Sequence, residues 1–119
     1  VFVQQYALHV RWQSIRNYAR QRGVSLLGDL PIFVAHDSAD VWANQNCFLL
    51  DGQGQPRYVA GVPPDYFSET GQRWGNPQYD WVALQASGFA YWIERLGYHI
   101  EHFDAVRIDH FRGLESSWM

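Results

Sequence analysis

Cysteine is nearly missing from this chain: Cys47 is the one thiol in 119 residues. A single cysteine cannot close an internal disulfide, which excludes a disulfide scaffold and fits a reducing, cytoplasmic setting. An excess of basic residues is missing too. Nine Lys and Arg against twelve Asp and Glu leave a net charge of −3, which argues against a nucleic-acid surface. No apolar run approaches the roughly 20 residues of a membrane-spanning helix, and the first residues do not read as a signal peptide, so no membrane partner is expected. Nor does the sequence hold a Gly-rich phosphate loop, a Cys/His cluster at metal spacing or a nucleophilic Ser motif. The His residues at 9, 36, 99, 102 and 110 are scattered. His99 and His102 share a helical spacing that reads as surface or structural rather than as a metal site.

What remains is a globular composition, 47% hydrophobic and 18% charged, sized for at most one domain. Aromatics reach 17%, with six Trp. That density suits a protein that handles flat-faced sugar rings, and equally a dense aromatic core. Residues 4–22 read as an amphipathic helix. Leu8, Trp12, Ile15 and Ala19 lie on its apolar stripe, Arg11, Arg16 and Arg20 lie off it, and Gly23 is the stop. Residues 24–30 read as a buried strand that Pro31 ends, because Pro cannot donate to a sheet ladder. Residues 36–80 lose helical period and are rich in Gly, Pro, Asn and Gln. Within them, Asp51-Gly52-Gln53-Gly54 predicts a small hairpin between 47–50 and 57–60. A long irregular insertion of this kind is usually functional. Helical period returns over 82–103, carried by Phe89, Trp92, Ile93, Leu96, Ile100 and Phe103, with Gly97 inside, and a strand follows at 105–110. Helix, strand, long loop, helix, strand is an α/β repeat, of barrel or doubly wound type. Both ends read as cuts in a longer chain, and residues 115–119 follow the last strand with no closing element.

The run Ala105-Val106-Arg107-Ile108-Asp109-His110-Phe111-Arg112-Gly113 carries the most chemistry. Alternation puts Arg107 and Asp109 on one face of the strand and Val106, Ile108 and His110 on the other. A guanidinium two residues from a carboxylate favours the ionised acid. A fixed, ionised carboxylate is what a nucleophile attacking carbon requires. A structural ion pair at a strand end would look the same.

Residues 107–113 resemble the nucleophile motif of the amylomaltases, the 4-alpha-glucanotransferases of glycoside hydrolase family 77. Two further blocks resemble the same family in the same order. One is Gly28-Asp29-Leu30-Pro31-Ile32-Phe33-Val34-Ala35, continued by Asp37-Ser38-Ala39-Asp40-Val41-Trp42. The other runs from Ala60-Gly61-Val62-Pro63-Pro64-Asp65-Tyr66-Phe67-Ser68 through Thr70-Gly71-Gln72 to Trp74-Gly75-Asn76-Pro77. Arg73 and Gln78 stand where the family pattern suggests apolar residues, and His36 precedes Asp37.

The resemblance implies part of a (β/α)₈ TIM barrel, around strands three and four, with the long irregular insertion after strand three; residues 1–119 would be a partial catalytic barrel domain. It implies a retaining glucan transfer with Asp109 as nucleophile and Arg107 holding it oriented. Asp29 would support the site through hydrogen bonds to Arg107, a role the resemblance implies ahead of direct sugar contact. Pro63 and Pro64 would stiffen a mobile loop on which Asp65, Tyr66 and Phe67, with Trp74, contact glucan. The competing reading anchors those aromatics to the barrel. His110 either packs behind the strand or touches substrate. Asp37 and Asp40, around Ser38, read as caps of the turn or short helix at Val41. The general acid and a third carboxylate would lie outside the chain; Glu115, in a loop setting too soon after the strand, is not promoted to that role. The implied partners are maltooligosaccharides and starch- or glycogen-derived glucans, with no metal and no organic cofactor. A hydrolase of the α-amylase group and a non-catalytic glucan-binding or structural piece are the rival readings. The 119 residues alone are expected to be catalytically silent, because the rest of the barrel is required, and to leave Phe89, Trp92 and Leu96 partly wet.

Overall fold

In the computed structural model, which describes residues 1–117, the elements run α1 (Phe2–Gln21), β1 (Leu27–Pro31), α2 (Ala39–Ala43), β2 (Val59–Val62), β3 (Gln72–Pro77), α3 (Trp81–Ala86), α4 (Ala90–His102) and β4 (Ala105–Asp109). Short 3-10 turns follow α2 and β4. Residues 118 and 119, the end of the tail read as unclosed, lie outside the described residues.

The frame is a β–α–β unit. β1 and β4 are parallel neighbours in the register Asp29 to Arg107 and Pro31 to Asp109, and the connection between them includes α3 and α4. Alternation along the pair separates two faces. Gly28 and Leu30 are buried on one, beside half-buried Val106 and Ile108, which pack onto the core around Phe33, Val41, Tyr79, Leu84 and Trp92. Asp29, Pro31, Arg107 and Asp109 are exposed on the other. The segment read as a buried strand is thus buried on one face alone, and the charged face has no cover within the described chain.

Several local readings hold for identifiable reasons. Gly23, at φ 68°, closes α1 in the left-handed conformation, with Gly23 N–H on Arg20 O and Val24 N–H on Ala19 O. The cap of α2 is Ser38, which accepts from Val41 N, rather than Asp37 or Asp40; the Asp40 carboxylate accepts from the Tyr91 hydroxyl. The loop after β1 is locked from two sides. The Tyr79 hydroxyl donates to Ile32 O at 2.6 Å, and Arg95 donates to Pro31 O at 2.7 Å. Burial pushes the Tyr79 phenol up to about 12, so it stays a neutral donor. Burial likewise pushes the Cys47 thiol up.

Other readings are corrected. On α1, Leu8 and Ile15 are exposed, whereas Arg16, assigned to the polar side, is buried. Its guanidinium donates to Glu101 O and Phe103 O and faces Asp104, so the inward face is set by the carbonyls at the end of α4 rather than by apolar period. The 82–103 helix is two helices, because Gly88 and Phe89 are consecutive left-handed residues at φ 64° and 59°. Trp92 is buried and stacked on Trp81, not wet; Phe89 is exposed and Leu96 is partly buried. The insertion does contain a hairpin, but its ladder is β2 with β3. The 47–60 segment holds only a Leu50–Pro56 bridge and single backbone bonds around the 51–54 turn.

Gly28 is required by a close approach. A Cβ there would lie 2.6 Å from two atoms of the Phe103 ring, which covers β1. Gly28→Ala is expected to destabilise the protein by about 1–3 kcal/mol, the usual scale of overpacking. A denaturation midpoint unchanged in the variant would show that Phe103 moves freely.

Candidate active site

Three charged side chains form a row on the exposed face of the parallel pair. Asp29 lies directly across from Arg107, and the guanidinium grips it with two bonds, Nε to Oδ1 at 3.0 Å and Nη2 to Oδ2 at 2.5 Å. Asp109 is two residues on, at the carboxyl end of β4, with Oδ1 3.8 Å from Arg107 Nη2. The two-point grip of Arg107 is made on Asp29, the partner expected for it, and not on Asp109, because cross-strand neighbours on one face stand closer than side chains two residues apart along a strand. Arg107 meets Asp109 as a nearby charge rather than as a fork.

Hydrogen bonding from Arg107, the largest influence, holds the Asp29 carboxyl below the usual carboxylate value; desolvation opposes it, and the Arg107 charge adds a smaller downward effect. Asp29 in turn raises Arg107, with Asp109 adding less. The sign of the linkage follows. A carboxyl depressed in the folded state contributes stability above its unfolded value and loses it as pH falls through the folded value. The wild type is therefore expected to exceed Asp29→Asn in stability at about pH 6, with the gap closing as pH falls through the depressed folded-state value of Asp29. Because all three side chains are more than half exposed, the gap should also shrink with salt. A gap independent of pH would exclude the ionic origin.

Immediately after Asp109 the chain turns. His110 takes the left-handed conformation at φ 52°, so regular strand parity stops there. Its imidazole meets the Trp74 ring edge-on, centroids 5.0 Å apart, and lies 6.3 Å from that of Phe33. His110 also lines a cleft of about 370 Å³ with Gly61, Val62, Pro63, Asp65 and Arg112. His110 is both packed against Trp74 and open to this groove. The structure thus brings His110, Trp74 and Asp65 to the end of β4.

The other loop residues stand apart. Tyr66 is 106% and Phe67 93% exposed, so neither anchors the loop to the rest of the described chain. Asp65 Oδ1 accepts from Phe67 N and Ser68 N, each at 2.9 Å, and so holds the tip of the loop in shape. Gly71, at φ 75°, closes the loop where a Cβ would meet Val62 O at 2.6 Å. Sequence reasoning missed Arg95, which fixes the carboxyl end of β1; its only signal was an arginine beside the apolar stripe of a helix. Trp74 packs against Phe33 and His110, the kind of contact that the anchoring reading of the loop aromatics describes.

A charged row that crosses two parallel strands joined through helices and ends at the carboxyl end of β4 belongs to an α/β protein. Comparison with known proteins gives the family. Residues 1–119 match glycoside hydrolase family 77, described as 4-alpha-glucanotransferase, and the chain belongs to it. It is 60% identical over 109 residues to the 4-alpha-glucanotransferase of Synechocystis, covering 91% of this chain and 22% of that protein. Against the 4-alpha-glucanotransferase of Aquifex aeolicus it is 51% identical over 118 residues, covering 99% and 24%. The fold matches the amylomaltase from Streptococcus agalactiae, solved in complex with acarbose, at TM-score 0.90 and 43% identity, over 93% of this chain and 22% of that one. The chain spans less than a quarter of the length of these relatives.

Proposed function

We propose that the protein to which this chain belongs is a retaining 4-alpha-glucanotransferase that moves α-1,4-glucan segments between maltooligosaccharides, including those derived from starch or glycogen. The observation that carries the reading is the Asp29–Arg107–Asp109 row, which crosses two parallel strands and ends at the carboxyl end of β4, in a chain of this family. In this reading β1 and β4 are the third and fourth strands of a (β/α)₈ barrel, and residues 36–80 are an insertion that carries the acceptor loop.

Asp109 attacks the anomeric carbon of the donor, forming a carbon–oxygen bond as the glycosidic bond breaks. A second carboxyl group, about 5–5.5 Å away in retaining enzymes, protonates the departing oxygen. That acid comes from the longer polypeptide. In the second half the hydroxyl of an acceptor sugar gives its proton to the same group and displaces Asp109. Arg107, locked by Asp29, provides a fixed positive charge beside the nucleophile. Transfer in place of hydrolysis requires that water be kept from the intermediate until the acceptor arrives. The solvent-facing Tyr66 and Phe67, on a loop stiffened by Pro63 and Pro64, are suited to close over an acceptor, with Asp65, Trp74 and His110 lining the groove beneath. The buried, unpaired Cys47 supports a reducing, cytoplasmic location.

Incubating the full-length protein with maltotriose tests the reading. Glucose together with oligosaccharides longer than maltotriose is the expected outcome. Hydrolysis products without longer chains would make it a hydrolase, and no turnover would make it a binding or structural protein.

A further inference from the structure

A second concave site lies away from the β4 cleft and shares no residue with it. It is a cavity of about 440 Å³, within the usual range of small-ligand sites, between α2 and the 51–54 turn. Trp42, on its wall, is 78% exposed, the most exposed tryptophan of the described residues; Trp81 and Trp92 are stacked inside. A ring of that size held in solvent leaves a large apolar face uncovered.

The wall that carries Trp42 is rigid despite the shortness of α2. Val41 is buried beside it, Ser38 caps one end, and Asn44 closes the other with two bonds to Asp40 O. The Tyr91 hydroxyl fixes the Asp40 side chain at 3.0 Å. Opposite, Asp51 Oδ1 accepts from Gln53 N and Gln55 N, and His36 Nε2 bonds Gly54 O at 2.8 Å, which ties the turn to the cavity wall. Asp37 and Gln45 also line the cavity, both are exposed, and neither side chain has a protein hydrogen bond among the described residues. The lining holds one carboxylate, an amide and no Lys or Arg, which disfavours phosphates and other anions. A flat apolar face beside unengaged hydroxyl-binding groups suits a neutral, polyhydroxylated ring.

We propose that this cavity is a second α-1,4-glucan site, in which Trp42 stacks on a pyranose ring and Asp37 and Gln45 bond its hydroxyls. The choice of glucan rests on the functional reading above. Its use would be to hold a polymeric substrate while another stretch of the same chain occupies the transfer site, so that the second contact becomes intramolecular.

The test uses the full-length protein with Asp109→Asn to stop turnover, titrated calorimetrically with maltoheptaose. Two binding events are expected. Trp42→Ala should weaken one by about tenfold or more, equivalent to about 1.4 kcal/mol, and Trp42→Phe should retain most of it. Asp37→Ala combined with Gln45→Ala should weaken the same event with the aromatic ring in place. In the active protein, Trp42→Ala should leave maltotriose disproportionation within about twofold but slow transfer from dilute amylose about fivefold, as loss of one of two linked contacts requires. A single binding event, or amylose transfer indifferent to Trp42→Ala, overturns the proposal; the former is also the result if the longer polypeptide covers Trp42. If the wild type disproportionates maltotriose while the Trp42 variant changes nothing, only the second site fails. If the wild type does not, the functional reading fails first.

Discussion

Asp109→Asn in the full-length protein is expected to reduce glucan transfer by about 10⁴-fold or more, the scale on which loss of a covalent nucleophile acts in other enzymes. The amide has nearly the shape of the carboxylate, but its oxygen is too weak a nucleophile to attack the anomeric carbon. Folding should change little, since the side chain is more than half exposed and its charge contact with Arg107 is long, at 3.8 Å. Glucan binding should survive for the same reason. Disproportionation of maltotriose by the variant at near wild-type rate would remove Asp109 from the mechanism.

Arg107→Lys should lower transfer by about 10²-fold, nearly as much as Arg107→Ala, because an ammonium cannot reproduce a planar fork that meets both oxygens of a carboxylate. The geometry makes the reason specific. The fork is closed on Asp29, by Nε at 3.0 Å and Nη2 at 2.5 Å, and that grip sets where the positive charge stands relative to Asp109. A lysine would be free to swing toward either acid. Asp29→Asn should therefore also slow transfer, acting through Arg107, with kcat falling more than KM rises. A Lys variant that keeps most of the activity would show that positive charge alone suffices and that the cross-strand lock has no catalytic role.

The order of elements was legible because local rules and the fold agree there. Gly23 stops α1 with the hydrogen bonds expected of a glycine cap. The 27–31 and 105–109 segments pair as parallel strands, and their alternation places Arg107 and Asp109 on one face. What was not legible depended on contacts distant in sequence. The bond between Arg107 and Asp29, 78 residues apart, was expected only from the family resemblance; the spacing of adjacent residues pointed to Asp109. Arg16 is buried because the carbonyls of Glu101 and Phe103 need donors, which no helical period reveals. The break at Gly88 and Phe89 was hidden by an apolar pattern that runs on through it. His110 escaped strand parity because a left-handed residue ends the strand, with an imidazole packed on Trp74 from the hairpin. The pairing of β2 with β3 was obscured by a stronger turn signal nearby, at 51–54, which makes a turn but no ladder.

Asp109 is the atom-level partner of the donor sugar in the proposed reaction. The most direct measurement treats the full-length protein with a fluorinated glucosyl donor whose covalent intermediate breaks down slowly, then digests it and locates the adduct by mass spectrometry. The account predicts one glucosyl unit in ester linkage to Asp109 on the peptide that contains residues 108–112. An adduct on Asp29 or on any other carboxylate, or continued transfer with no covalent species formed, would contradict it.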